Sequence, residues 1–114
     1  MITDELIDQA IAAGVKVAVC SSNTQKNVEL IVNSMGMVRA SNMAIFAGGR
    51  VVNRKPHPDI FNLAKGTLSV DAADCLVIED DQAGLEAAKG ANMACLVVKS
   101  AYTQNDDFKQ VPIP

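Results

Sequence analysis

The chain has no tryptophan, one tyrosine and three phenylalanines among its 114 residues. A core without large aromatics must be assembled from Val, Ile, Leu, Ala and Met, a palette that suits helices laid on a parallel sheet. A basic surface is missing as well. Ten Lys and Arg stand against 13 Asp and Glu, a net charge of −3, which argues against nonspecific nucleic-acid binding. No apolar run approaches the ~20 residues of a membrane span, so no transmembrane segment is expected, and no signal or transit peptide pattern is visible. No Gly-x-Gly-x-x-Gly follows a strand, which weakens a dinucleotide-binding reading. The three cysteines, Cys20, Cys75 and Cys95, form no Cys-x-x-Cys pair, and each lies in an apolar run. They read as small buried hydrophobes in a reducing compartment rather than as nucleophiles or metal ligands. His57 is the single histidine; it cannot join another in a triad and reads as structural or peripheral.

What is present is the composition of one folded domain. A hydrophobic fraction of 49% in a chain of this length is enough to bury a core. Thr3 is a candidate N-cap with Asp4 and Glu5 in the first turn behind it. Leu6, Ile7, Ala10 and Ile11 recur at helical spacing, and Gly14 suits the residue that ends a helix. Residues 15–20 are mostly β-branched and predict a buried strand. A second helix carries Val28, Ile31, Val32 and Met35 and closes at Gly36. Residues 44–47 predict a short strand, and Gly48-Gly49 a turn. Pro58 suits the first position of a helix bearing Ile60, Phe61, Ala64 and Leu68. A strand over 75–78, a helix over 82–90 and a strand over 94–98 complete the order. It is an α/β order, in which consecutive strands run parallel with right-handed crossovers. The expected organisation is a domain over 1–99 and a loosely attached polar tail over 100–114.

Three places in this order carry chemistry. Val77-Ile78-Glu79-Asp80-Asp81 runs an apolar strand straight into carboxylates, at the edge where open α/β sheets bind ligands. Like charges repel, so such a cluster is either a solvated turn or a site for a hard divalent cation such as Mg2+. Ser21-Ser22-Asn23-Thr24 joins a strand to a helix N-terminus. It serves either as an ordinary N-cap or as an anion site built from hydroxyls and free backbone N–H groups. Lys55-Pro56-His57-Pro58 holds a lysine in a stiff turn, where it is placed to pair with a phosphate or a carboxylate.

These motifs, in this order, resemble the haloacid dehalogenase-like (HAD) hydrolase superfamily. Val17-Ala18-Val19-Cys20-Ser21-Ser22 is similar to its second motif, Lys55-Pro56-His57-Pro58-Asp59 to its third and Val77-Ile78-Glu79-Asp80-Asp81 to its fourth. The flanks resemble the CbbY-like branch of sugar-phosphate phosphatases in photosynthetic bacteria and plastids: residues 13–21, Phe46-Ala47-Gly48-Gly49, and Lys99-Ser100-Ala101-Tyr102-Thr103 through Asp107-Phe108. The resemblance implies a Rossmann-like three-layer core and roles residue by residue. Ser21 would hydrogen-bond the transferring phosphoryl group, with Ser22 and Asn23 lining the same pocket. Lys55 would neutralise charge on that group and on the nucleophile. Asp80 would hold Mg2+, with Glu79 as a second ligand or as the partner of Lys55; Asp81 receives no role. Phosphoryl transfer is mostly positioning and charge stabilisation, which is why a cation, a lysine and hydroxyl or N–H donors belong together.

One part is absent from the sequence. The family's nucleophile lies in an Asp-x-Asp-Gly-Thr motif on the central strand, and no Asp-x-Asp occurs among these residues. The resemblance therefore implies an incomplete core that lacks the central nucleophile strand and the cap. Such a core is not expected to be active alone. Its sheet would be open between the strands bearing Ser21 and Asp80. Neighbouring strands sit about 4.8 Å apart, so the slot would be roughly twice that wide. The slot must close, admit a strand from another chain or sit against a partner, and another chain or companion segment is the expectation. With that segment, the substrate implied is a phosphorylated sugar such as xylulose-1,5-bisphosphate, in a plastid stroma or a bacterial cytoplasm. The alternative is a non-catalytic HAD-derived subunit of a larger assembly, in which the motif residues are relics.

Overall fold

The computed structural model describes residues 4–98, so the expected Thr3 cap and the tail over 100–114 lie outside the described residues. Helix α1 (Asp4–Ala12) has Asp4 and Glu5 in its first turn and buries Ile7. Gly14 leaves it with φ +78°, a conformation that suits glycine. Strand β1 (Val17–Ser21) follows, then helix α2 (Gln25–Asn33), helix α3 (Met37–Ser41) and strand β2 (Met43–Ala47). Helix α4 (Asp59–Leu68), strand β3 (Leu76–Glu79), helix α5 (Gln82–Gly90) and strand β4 (Ala94–Val97) complete the order, with short 3-10 turns at Gly48–Arg50 and Ala72–Asp74.

All described strand pairing is parallel, as the α/β order requires. Strands β1 and β2 run in register from Val17 opposite Met43 to Ser21 opposite Ala47. Strands β3 and β4 run from Leu76 opposite Ala94 to Glu79 opposite Val97. These are two separate two-stranded sheets, and β1 is not hydrogen-bonded to β3 among the described residues. Packing joins them instead. Helix α4 lies against β1, β2 and α5. The main core gathers Phe46 from β2, Ile60 and Phe61 from α4, Leu85, Ala87 and Ala88 from α5, and Cys95 from β4. A smaller cluster, Val28, Val32 and Ala47, fixes α2 on β2.

Several expectations are corrected. Residues of β1 are half-buried throughout rather than buried, because one edge of the strand has no described neighbour. Ile31 is 56% exposed and Met35 falls beyond the end of α2, so Val28 and Val32 alone form its buried stripe. Pro58 sits one residue before α4, as its N-cap. Helix α3, which starts right after Gly36 at φ +101°, was not expected, since five residues are too few to show a period. Its Arg39 binds back to α1, donating to Asp8 at 2.8 Å and to Asp4 at 3.3 Å. No described helix is long and apolar enough to cross a membrane.

Candidate functional site

Parallel strands deliver their last residues to one edge, so Ser21, Ala47, Glu79 and Val97 close the two sheets at the same end. Loops leaving that edge carry the residues picked out by sequence.

At the end of β1, Ser21 is half-buried, and Ser22 and Asn23 are exposed. The Ser21 hydroxyl accepts from the Asn23 N–H at 3.1 Å. The Asn23 side-chain oxygen accepts from the Thr24 N–H at 2.8 Å and from the Asn27 amide at 3.0 Å. Thr24 is the N-cap of α2, its hydroxyl accepting from the Asn27 N–H at 3.2 Å. The capping role is thus filled by Thr24 rather than by Ser22. Gly48, just past β2, clamps this loop: its N–H donates to the Asn23 carbonyl at 3.1 Å, and a Cβ at Gly48 would overlap the Ser22 backbone carbonyl.

Lys55 reaches in from the turn before α4, and the Lys55–Pro56 peptide that follows it is cis. Asp59 ties that turn down, accepting from the Asn53 N–H at 3.2 Å. The Lys55 amine donates to the Cys20 carbonyl at 2.9 Å and to Glu79 Oε2 at 2.5 Å. It also lies 5.2 Å from the centre of the Phe61 ring, within cation–π range. Lys55 and Glu79 side chains are each only 12% exposed. One ammonium therefore ties the end of β1 to the end of β3, across the edge where the sheets do not pair. His57 is exposed and lies outside this cluster.

At the end of β3, burial pushes the Glu79 carboxyl above the usual carboxylate range. Lys55 pulls it back, and the neighbouring Asp81 and Asp80 push it up again. Asp80 is exposed and Asp81 half-buried. One oxygen from each of Glu79, Asp80 and Asp81 lies within 4.8 Å of the others. This is an all-oxygen donor set, the chemistry a hard cation such as Mg2+ takes through one or two carboxylates while keeping several waters. Asp80 fits the ligand role best, because each neighbour is otherwise engaged. Glu79 is the partner of Lys55, and Asp81 is the N-cap of α5, accepting from the Gly84 N–H at 2.8 Å.

Structure thus brings Lys55, Glu79 and the backbone next to Ser21 into direct contact, with Asp80 beside them. The Asp81 cap, the Asp59 tether and the two close-packed glycines, Gly48 and Gly84, had no assigned part in the sequence reading. An isolated Gly inside the helical pattern of α5 was the available signal for Gly84.

Residues 3–98 match the family described as Haloacid dehalogenase-like hydrolase. A CBBY-like protein of Arabidopsis thaliana is 51% identical over 106 residues, which is 92% of this chain and 33% of that protein. CbbY from Rhodobacter sphaeroides, solved in complex with phosphate, superposes with a TM-score of 0.89 at 35% identity over 94% of this chain and 48% of its own. A point variant of that CbbY, solved with xylulose-(1,5)bisphosphate, superposes with a TM-score of 0.88 at 35% identity and the same coverage. The chain thus spans between 33% and 48% of the length of these relatives.

Proposed function

The chain belongs to the haloacid dehalogenase-like hydrolase family, on its CbbY-like branch, and from that premise we propose that it is the C-terminal core part of a Mg2+-dependent sugar-phosphate phosphatase. The observation that carries this reading is Lys55, whose amine meets the Cys20 carbonyl beside Ser21 at 2.9 Å and Glu79 at 2.5 Å. In this reading Ser21, Ser22 and Asn23 hold the phosphoryl oxygens through hydroxyl and N–H donors. Lys55 neutralises charge at the transferring group while Glu79 orients its amine. Asp80, with Glu79 beside it as a second ligand or as the partner of Lys55, holds Mg2+, which would supply charge neutralisation when bound. The substrate class is a phosphorylated sugar. Xylulose-1,5-bisphosphate is the specific choice, supported by the compound bound to the related CbbY.

No Asp-x-Asp is present to take the phosphoryl group, so the chain by itself is inactive in this proposal. A segment carrying the nucleophile strand and cap completes it, in a plastid stroma or a bacterial cytoplasm, with the domain bounded near residue 99. Mixing the chain with the upstream part of a CbbY-like relative is the test. Mg2+-dependent release of phosphate from xylulose-1,5-bisphosphate, abolished by Asp80→Asn, is the expected result. A folded complex with no hydrolysis of that ester or of p-nitrophenyl phosphate would overturn it. The missing nucleophile favours a second reading, a non-catalytic subunit of a larger assembly. In that case Asp80→Asn leaves assembly unchanged with or without Mg2+.

A further inference from the structure

We propose that Gly84 is a positioning residue for the candidate site, because the space left by its absent side chain is the space in which the Glu79 carboxylate lies to meet Lys55. Gly84 is buried in the first turn of α5. A Cβ placed on it would overlap Cγ, Cδ and Oε1 of Glu79. Among the described glycines only Gly84 and Gly48 meet another group this closely, and both stand at the ligand-facing edge of the sheets. Backbone conformation does not explain the glycine, since Gly84 is not among the glycines at positive φ. An alanine would be the better helix former at this position.

What the glycine protects follows from which atoms must yield. At Gly48 the obstacle is backbone, the Ser22 carbonyl. At Gly84 it is the far end of a flexible side chain, which moves at small cost. Glu79 cannot move alone, however, because its other oxygen, Oε2, is the partner of the Lys55 amine at 2.5 Å. A methyl group at position 84 therefore leaves the fold intact and displaces the carboxylate from Lys55. The amine keeps the Cys20 carbonyl and the Phe61 ring face. Gly84 thus acts on the lysine through Glu79. The catalytic importance of that action rests on the phosphatase reading above, whereas the steric relation does not.

The test compares the full chain with its Gly84→Ala, Glu79→Ala and doubly substituted variants. Two readouts are taken: the thermal midpoint, and the rate at which acetic anhydride modifies Lys55 relative to exposed Lys26 in the same digest, by peptide mass spectrometry. Gly84→Ala should stay folded, with a midpoint lowered no further than that of Glu79→Ala, while Lys55 reacts on the order of tenfold faster, as expected for loss of a charge-assisted hydrogen bond. Glu79→Ala should give a similar acceleration, and adding Gly84→Ala to it should change nothing further. An unchanged Lys55 rate in Gly84→Ala, or additive effects in the double variant, would overturn the proposal. Should Gly84→Ala fail to fold, a folded double variant supports the proposal and an unfolded one overturns it. No ester hydrolysis enters the readout, so an inactive completed protein would remove the phosphatase reading and leave this one standing.

Discussion

Lys55 concentrates the stability of the site in a single side chain, because its amine serves a strand carbonyl, a buried carboxylate and an aromatic face together. Replacing it by methionine keeps most of the volume but leaves Glu79 inside without its counter-charge. Lys55→Met should therefore cost about 2–4 kcal/mol, the range for breaking a largely buried pair from one side. Glu79→Gln in the same background should recover part of it, and urea midpoints of the single and double variants check both. The sequence marked Lys55 and Glu79 but left open whether the lysine served a phosphate or a carboxylate. The choice depends on how closely β1 and β3 approach and on the space at Gly84, neither of which is a local property. Of the three cysteines expected to be buried only Cys95 is; Cys20 and Cys75 are half-buried. Burial pushes the Cys20 thiol up to about 11, Lys55 offsetting this and Glu79 adding to it. Cys95 is also pushed up to about 11, by burial first and then by Glu79. At pH 8 their thiolate fraction should be about a hundredfold below that of an ordinary cysteine, with iodoacetamide labelling slowed accordingly. The sign for stability follows. Between the unfolded value of 9.0 and about 11 the folded thiols keep protons that the unfolded chain has released. Stability should thus fall as pH rises through that window, and less steeply in Cys20→Ala.

Elements were legible where a period and a stop signal coincide. Helix α5 covers residues 82–90 as read, because Ala, Leu and Lys favour it and the turn before it supplies a cap. Boundaries of β1, β3 and α4 moved by one or two residues, and α3 was missed. The loops after β1 and β2 depend on a contact that no pattern reveals, the close approach of Gly48 to the Ser22 carbonyl. Gly48→Ala should be the opposite of Gly84→Ala. Its obstacle is backbone, so the β1–α2 loop must shift and the Gly48-to-Asn23 hydrogen bond must stretch. A loss of about 1–3 kcal/mol is expected, the usual range for overpacking. Amide chemical shifts should change at Ser21, Ser22 and Asn23 while those of α5 stay in place, which separates a loop displacement from general unfolding.

Among the described residues the molecule is two parallel strand pairs, with α4 packed between elements of both and Lys55 bridging β1 to β3, rather than a continuous sheet. Sequence order made the parallel pairing legible, and the resemblance located the opening between β1 and β3; the brace across it became visible only in three dimensions. A strand paired on one side turns alternate N–H groups away from its neighbour. Left dry, each unsatisfied group would cost about 1–3 kcal/mol, so these edges must be wet or covered. The half-buried state of every β1 residue fits a wet edge. Hydrogen exchange of the chain alone should accordingly alternate along Val17–Ser21 and Leu76–Glu79, with slow amides facing β2 and β4 and fast ones facing the opening. Adding the upstream part of a CbbY-like relative should slow the fast set and leave the slow set as it was. The Lys55-to-Glu79 pair should persist, because it lies at the edge and not in the path of an inserted strand. Uniform protection along both strands before addition would mean that the opening is already filled, and the proposal of a companion segment would fall with it.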